Sequence, residues 1–194
     1  MNNNNQMPIR SSFTTDFVSL NYPDQKESFR WCFLPGMLFQ DNMSWWKNGR
    51  RPRFHEGADF CRFYCRNFST MQVEEGDLVP ILFDGVVLKV ENDFLASTIW
   101  MRHEKIRQGN MVLFSALAHV VPLDGVTAGT AFEQGKAVAA IGRRRDLLEV
   151  SMHLHVSVFW APHYFKTARL GWPTLPTMKE ISLVDPLQVI SDGF

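Results

Sequence analysis

The chain is predicted to be mainly β, on three observations. Short runs rich in branched and aromatic residues follow one another after Asp59. Glycine-bearing pairs (Gly76-Asp77, Asp84-Gly85, Gly109-Asn110) separate those runs at the spacing of hairpin loops. Helical apolar spacing is not sustained over more than about ten residues anywhere.

Taken in order, residues 1–28 are polar and mixed, open on an asparagine tract, and hold Pro8 and Pro23. They predict a flexible or loosely docked arm ahead of one domain spanning 29–194. Between 29 and 39 the composition turns apolar and is cut by Pro35-Gly36, a turn signal. Residues 43–54 (MSWWKNGRRPRF) mix tryptophans and basic residues with Gly49 and Pro52, and predict a surface loop. Strands are expected at 79–82, 86–90, 97–102 and 111–120, with the glycine pairs as turns. Residues 125–134 read as a loop followed by a short helical or irregular turn. Further strands are expected at 137–141, 147–151 and 153–160, and no internal repeat is evident.

A chain of 194 residues can bury a sizeable core, and its 16 Phe and 6 Trp suit strands over a wide apolar interior. With 20 basic and 20 acidic residues the formal net charge is zero, which argues against nucleic acid or an anionic membrane surface as partner. No apolar run approaches the ~20 residues of a membrane-spanning helix. Residues 1–6 lack the basic and apolar regions of a signal peptide, so either a cytoplasmic location or a leader already removed is compatible with them. Three cysteines, Cys32, Cys61 and Cys65, read as idle or buried thiols.

The chemistry concentrates in two segments. His55-Glu56-Gly57-Ala58-Asp59 offers an imidazole and a carboxylate, and His153-Leu154-His155 offers two more imidazoles. A helical reading, with ligands one turn apart as in HExxH, is opposed by Pro52 before it and Gly57 within it. The preferred reading is a strand end and loop in which Gly57 lets the chain turn sharply. In a strand, His153 and His155 project to one face roughly 6.5 Å apart. Both could ligate one ion, or one could ligate while the other faces water or substrate.

These segments resemble, in family order, the lysostaphin-type zinc metallopeptidases. Arg53 to Phe60 is similar to the family's H-x-G-x-D segment, and residues 76–87 (GDLVPILFDGVV) to the strand, turn and strand after it. Residues 114–120 (FSALAHV) resemble the strand bearing the family's intermediate histidine, here His119. Gln134-Gly135 to Gly142 is like its glycine-punctuated hairpin, and His153-Leu154-His155-Val156 is the H-x-H signature. The resemblance covers about residues 50–160, with Asp185-Pro186-Leu187 like the common C-terminal ending.

It implies a compact antiparallel β-sandwich or barrel-like hybrid. It further implies one zinc ion held by His55, Asp59 and His155, with His153 and His119 as catalytic histidines. The implied substrate is a peptidoglycan or cell-wall peptide, and the implied place is the cell envelope, periplasmic or secreted. Three features depart from the pattern: Ser151-Met152 before the H-x-H, no tyrosine two residues before His119, and a longer aromatic, cysteine-bearing segment after Asp59. They leave the ligands intact and bear on the substrate groove, for which Trp45, Trp46, Lys47, Arg50 and Arg51 are a candidate wall. His103 is read either as a strand-end residue pairing with Glu104 or solvent, or as a support to the site. The alternative functions are a catalytically silent cell-wall-binding or hydrolase-activating relative, and a cytoplasmic metal-binding domain with another substrate.

Overall fold

The computed structural model describes residues 10–65, 69–142 and 150–190. In chain order the elements are α1 (Phe13–Asn21), β1 (Arg30–Cys32), β2 (Ala58–Phe60), β3 (Arg62–Tyr64), β4 (Thr70–Gln72), β5 (Leu78–Pro80) and β6 (Gly85–Asn92). Then follow β7 (Ser97–Gln108), β8 (Met111–Pro122), β9 (Ala131–Phe132), β10 (Ala137–Ile141), β11 (Leu154–Pro162), β12 (Ser182–Val184) and α2 (Pro186–Val189). The mainly β expectation holds, and every strand pair among the described elements is antiparallel.

The main sheet runs β12-β11-β8-β7-β6-β9, with β10 joining β5 to β8 and β2 lying against β11. A small sheet, β1-β3-β4, stands beside it. The main sheet is covered on both faces. One face carries the large core that includes Phe13, Phe17, Phe60, Ile99, Leu117 and Val156. The other buries Trp100, Phe114 and Phe159 under Leu170 and Leu175 of the segment between β11 and β12. Burial on both faces explains why β8 reads as a nearly unbroken apolar run rather than an alternation. At its start, β8 follows β7 through a two-residue loop in which Gly109 has φ +59°, the sign such hairpin turns require.

Over residues 10–28, the described part of that stretch, the structure corrects the expectation of a loose arm. Within it α1 buries Phe13, Phe17 and Val18 in the core, against Trp31 and Phe29. Asn21 fastens the helix end to β5, its amide donating to the Leu78 carbonyl at 2.9 Å and its Oδ1 accepting the Leu78 N–H at 2.7 Å. A nine-residue helix makes too few turns to stand out as a period; tertiary burial, not propensity, holds it. The short strands β1 to β4, β9 and β12 also escaped the sequence reading, since two or three residues are too few to show a period. Most other expected strands appear within a few residues of their predicted bounds, and β7 continues well past its predicted end, to Gln108. The strand expected at 147–151 falls largely on residues outside those described.

His103, on β7, supports neither reading made of it. It is fully buried, donates Nδ1–H to the Asp84 carbonyl at 3.2 Å and takes the Ser115 hydroxyl at Nε2, 2.8 Å away. Gly85 makes room for it, since a Cβ there would lie 2.7 Å from Nδ1. Burial lowers its pKa from 6.5 to about 4.

Two predictions follow from this packing. Phe17→Ala should cost about 3–5 kcal/mol of unfolding free energy, read by denaturant titration. As pH falls below about 6.5 the unfolded chain protonates His103 while the folded chain resists until about 4, so stability drops across that window. His103→Asn, which keeps the donor to Asp84, should flatten the drop by on the order of 3 kcal/mol between pH 6.5 and 4.

Candidate metal centre

The centre starts from a strand pairing. β2 and β11 place Asp59 directly opposite His155, and opposed residues of an antiparallel pair share a face with Cβ atoms roughly 5 Å apart. His155 Nδ1 accordingly lies 2.8 Å from Asp59 Oδ1. His55, four residues before Asp59, closes a triangle: its Nε2 is 3.1 Å from Asp59 Oδ1 and 3.0 Å from His155 Nδ1. No helix forms over this segment.

Gly57 is needed, though for a reason other than a turn. Its φ is not in the left-handed region, but the chain there lies in close contact with β11. A Cβ at 57 would sit 2.1 Å from the Val156 carbonyl oxygen, 2.7 Å from Ser157 Oγ and 2.8 Å from His155 Nε2. Only glycine permits that approach.

The outer atoms of each donor are already engaged. His55 Nδ1 is 3.0 Å from the Leu38 carbonyl, which only accepts, so the proton is on Nδ1 and Nε2 carries a lone pair. His155 Nε2 lies 2.8 Å from Ser157 Oγ, a hydroxyl able to accept its proton when Nδ1 gives its lone pair to an ion. Asp59 Oδ2 accepts the Trp45 indole N–H at 2.7 Å and Arg51 Nη2 at 3.0 Å, which leaves Oδ1 to the imidazoles. Three lone pairs so close repel one another unless a cation or proton lies among them. Donors around tetrahedral zinc, with bonds of about 2.0–2.1 Å, stand roughly 3.3 Å apart, so the triangle fits such an ion after small adjustments. Outer partners of this kind are what orients metal ligands.

The electrostatics agree. Burial alone would raise the Asp59 carboxyl, but the imidazoles, His55 foremost, outweigh it and hold the group well below the usual carboxylate range. Burial pushes His155 down to about 3 and His153 to about 4, so both rings are neutral at pH 7, the state in which imidazole binds metal.

His153, immediately before β11, shares the face of His155. Its Nδ1 donates to the Ser151 carbonyl at 2.8 Å, and its Nε2 lies 3.8 Å from Asp59 Oδ1, one step outside the triangle. His119 arrives differently. On β8, Ala118 pairs with Thr98 and Val120 with Ser97, so His119 is an extra, bulged residue with φ +67°. At the same point β8 changes its other neighbour from β11 to β10. In an unbroken strand His119 would face away from the Ala118–His155 row; the bulge turns it to the same side. Its ring centroid stands 4.7 Å from that of His153 and 6.1 Å from that of His155.

These histidines open on a cavity of about 440 Å³, within the size range of small-molecule sites. Its walls include Trp46, Arg51, Asp93, Phe94 and Trp172. The loop expected at the surface thus sends Trp45 and Arg51 inward onto Asp59, with Arg51 also stacked 4.5 Å from the Trp46 ring. Asp93 and Trp172 were not singled out from the sequence. Asp93 reads as an ordinary hairpin-loop residue, and Trp172 comes from a segment whose return to the site has no local signal. His103 lies elsewhere, in the core.

No protein-family profile matches the chain, and no curated protein matches it in sequence. Among solved structures it is similar to lysostaphin, at 16% identity and a TM-score of 0.42 over 65% of this chain and 46% of that one. It is also similar to a catalytic-domain mutant of the prophage-encoded protein EnpA from Enterococcus faecalis. There the identity is 15% and the TM-score 0.43, over 81% of this chain and 94% of the other. The chain therefore spans less than half the length of lysostaphin.

Gly57→Ala tests the close contact with β11. Overpacking at this contact should cost about 1–3 kcal/mol in thermal or denaturant unfolding. If the triangle holds zinc, displacing His155 should weaken that binding by about 10–100-fold, read by competition with a chromogenic chelator.

Proposed function

We propose that this chain is a zinc-dependent endopeptidase acting on peptidoglycan cross-bridges or stem peptides, at the cell envelope. The observation that carries the reading is the meeting, on one cavity, of the His55–Asp59–His155 triangle with His153 and His119. The order of these residues along the chain is also that of the lysostaphin-type resemblance. One carboxylate and two neutral imidazoles leave a bound divalent ion with net positive charge, and three protein donors leave a coordination position open, the pattern of catalytic rather than structural zinc. Zinc in that position supplies a Lewis acid that polarises a carbonyl and brings the pKa of water down to about 7.

The protein's own groups divide the remaining work. His153, with its Nδ1 proton committed to Ser151, presents Nε2 toward the centre, where it can take a proton from the attacking water and return it to the departing amine. His119, beside it, stabilises the negative charge that develops on the amide oxygen as the carbon becomes tetrahedral. The two assignments can be exchanged without altering the geometry. Trp46, Phe94 and Trp172 give the cavity apolar walls that shed water around the reacting bond.

The purified protein should contain about one zinc per chain, and His55→Ala or Asp59→Ala should lose it. His153→Ala should keep its zinc and hydrolyse cell-wall sacculi or glycyl peptides about 10²–10⁴-fold more slowly. Equal zinc loss in His153→Ala and His155→Ala would refute the division between ligand and catalyst. Full zinc with no hydrolysis of either substrate would refute the peptidase reading.

A further inference from the structure

The Asp93 side chain is 1% exposed and lies in the β6–β7 loop at the edge of the cavity, outside both histidine motifs. Its Oδ1 accepts the Leu95 and Ala96 backbone N–H groups, each at 2.8 Å. Its Oδ2 accepts the Thr98 hydroxyl at 2.9 Å and the backbone N–H of His119 at 2.9 Å. The Thr98 hydroxyl is itself fixed, since it receives the Trp172 indole N–H at 2.8 Å. Asp93 Oδ1 also stands 3.2 Å from His119 Nδ1, an ion-pair contact off the line of a straight hydrogen bond.

Two consequences meet at His119. A non-glycine residue at φ +67° is uncommon and must be held by its surroundings. Asp93 holds the N–H of this residue, and the Gly142 N–H holds its carbonyl at 3.0 Å, so both backbone groups are satisfied off the strand ladder. The ring is held by the same carboxylate. Nδ1 is buried, completes no well-formed hydrogen bond and has as its ion-pair neighbour an anion that can only accept, while the residue also lines the cavity.

We propose that Asp93 is a positioning residue that keeps the His119 proton on Nδ1, so that Nε2 is the nitrogen that exchanges protons with a substrate in the cavity. In this arrangement His119 gains a proton at Nε2 to become an imidazolium balanced by Asp93, and loses it from the same atom. His119 then meets the charge that develops on the amide oxygen as an imidazolium and not as a fixed neutral donor. The catalytic part of this inference rests on the peptidase reading; the tautomer does not.

The proton's location can be read directly in the wild-type protein from long-range ¹H–¹⁵N correlations of the imidazole nitrogens. The expected pattern for His119 at neutral pH has Nδ1 protonated, and a neutral ring protonated at Nε2 overturns the proposal whether or not the protein proves to be a peptidase. In the zinc-loaded enzyme, Asp93→Asn must place its amide nitrogen against donors on one side, and it removes the charge that balances the imidazolium. It should keep its zinc and lower kcat about 10–100-fold, with KM changed less than about twofold. The double variant Asp93→Asn/His119→Ala should be no slower than His119→Ala alone, because Asp93 acts through that ring. Losses that multiply in the double variant would assign Asp93 a purely structural role and overturn the proposal.

Discussion

The structure depends on the close approach of residues 55–59 to β11. The contact is close enough that one methyl group at Gly57 would collide with the Val156 carbonyl and with two side chains. That closeness puts Asp59 in register opposite His155 and brings His55 into the same plane of donors. Asp59, buried and ionised, can persist only among partners, and it has them on both oxygens: imidazoles at Oδ1, indole and guanidinium at Oδ2. The inward turn of Trp45 and Arg51 is therefore part of what stabilises a carboxylate at this depth.

A second constraint is the exchange of neighbours along β8. This strand pairs with β11 through Ala118 and with β10 from Val120, and the one residue between is His119. A strand that changes partner at a bulge loses regular ladder bonds at that point, and here they are replaced by Asp93 on one side and Gly142 on the other. The local irregularity delivers a side chain to a face that alternation would deny it. The bulge, the β6–β7 loop and the Thr98–Trp172 contact form one connected piece, so the geometry of His119 is tied to the wall of the cavity.

The two-sided burial of the main sheet supplies rigidity beneath these features. Aromatic packing on one face joins α1 to β1, β2 and β3, with Phe29 and Phe63 at a centroid distance of 4.4 Å and Trp31 and Phe60 at 4.9 Å. On the other, Phe114 stacks on Phe159 at 5.3 Å beneath the segment that carries Trp172. Ligands that project from such strands keep their spacing better than ligands on loops.

Composition and pattern determined the β class, the main hairpins and the candidate ligands, because these rest on local signals: period-two or continuous apolar runs, glycine at turns, and imidazole and carboxylate at short spacing. His153 and His155 share a face simply because they are two residues apart in an extended chain. The identity of His119 as a neighbour of that face was available only through the family resemblance, since strand alternation by itself would place it on the wrong side. Tertiary structure alone decided what the rest of the chain does. Helix α1 folds into the core because Phe13 and Phe17 find a bed of rings there, Trp45 and Arg51 turn inward because a buried carboxylate needs donors, and His103 stays in the core beside Ser115. Asp93 and Trp172 reach the centre through pairings between segments far apart in sequence, and no local pattern of residues encodes such a meeting.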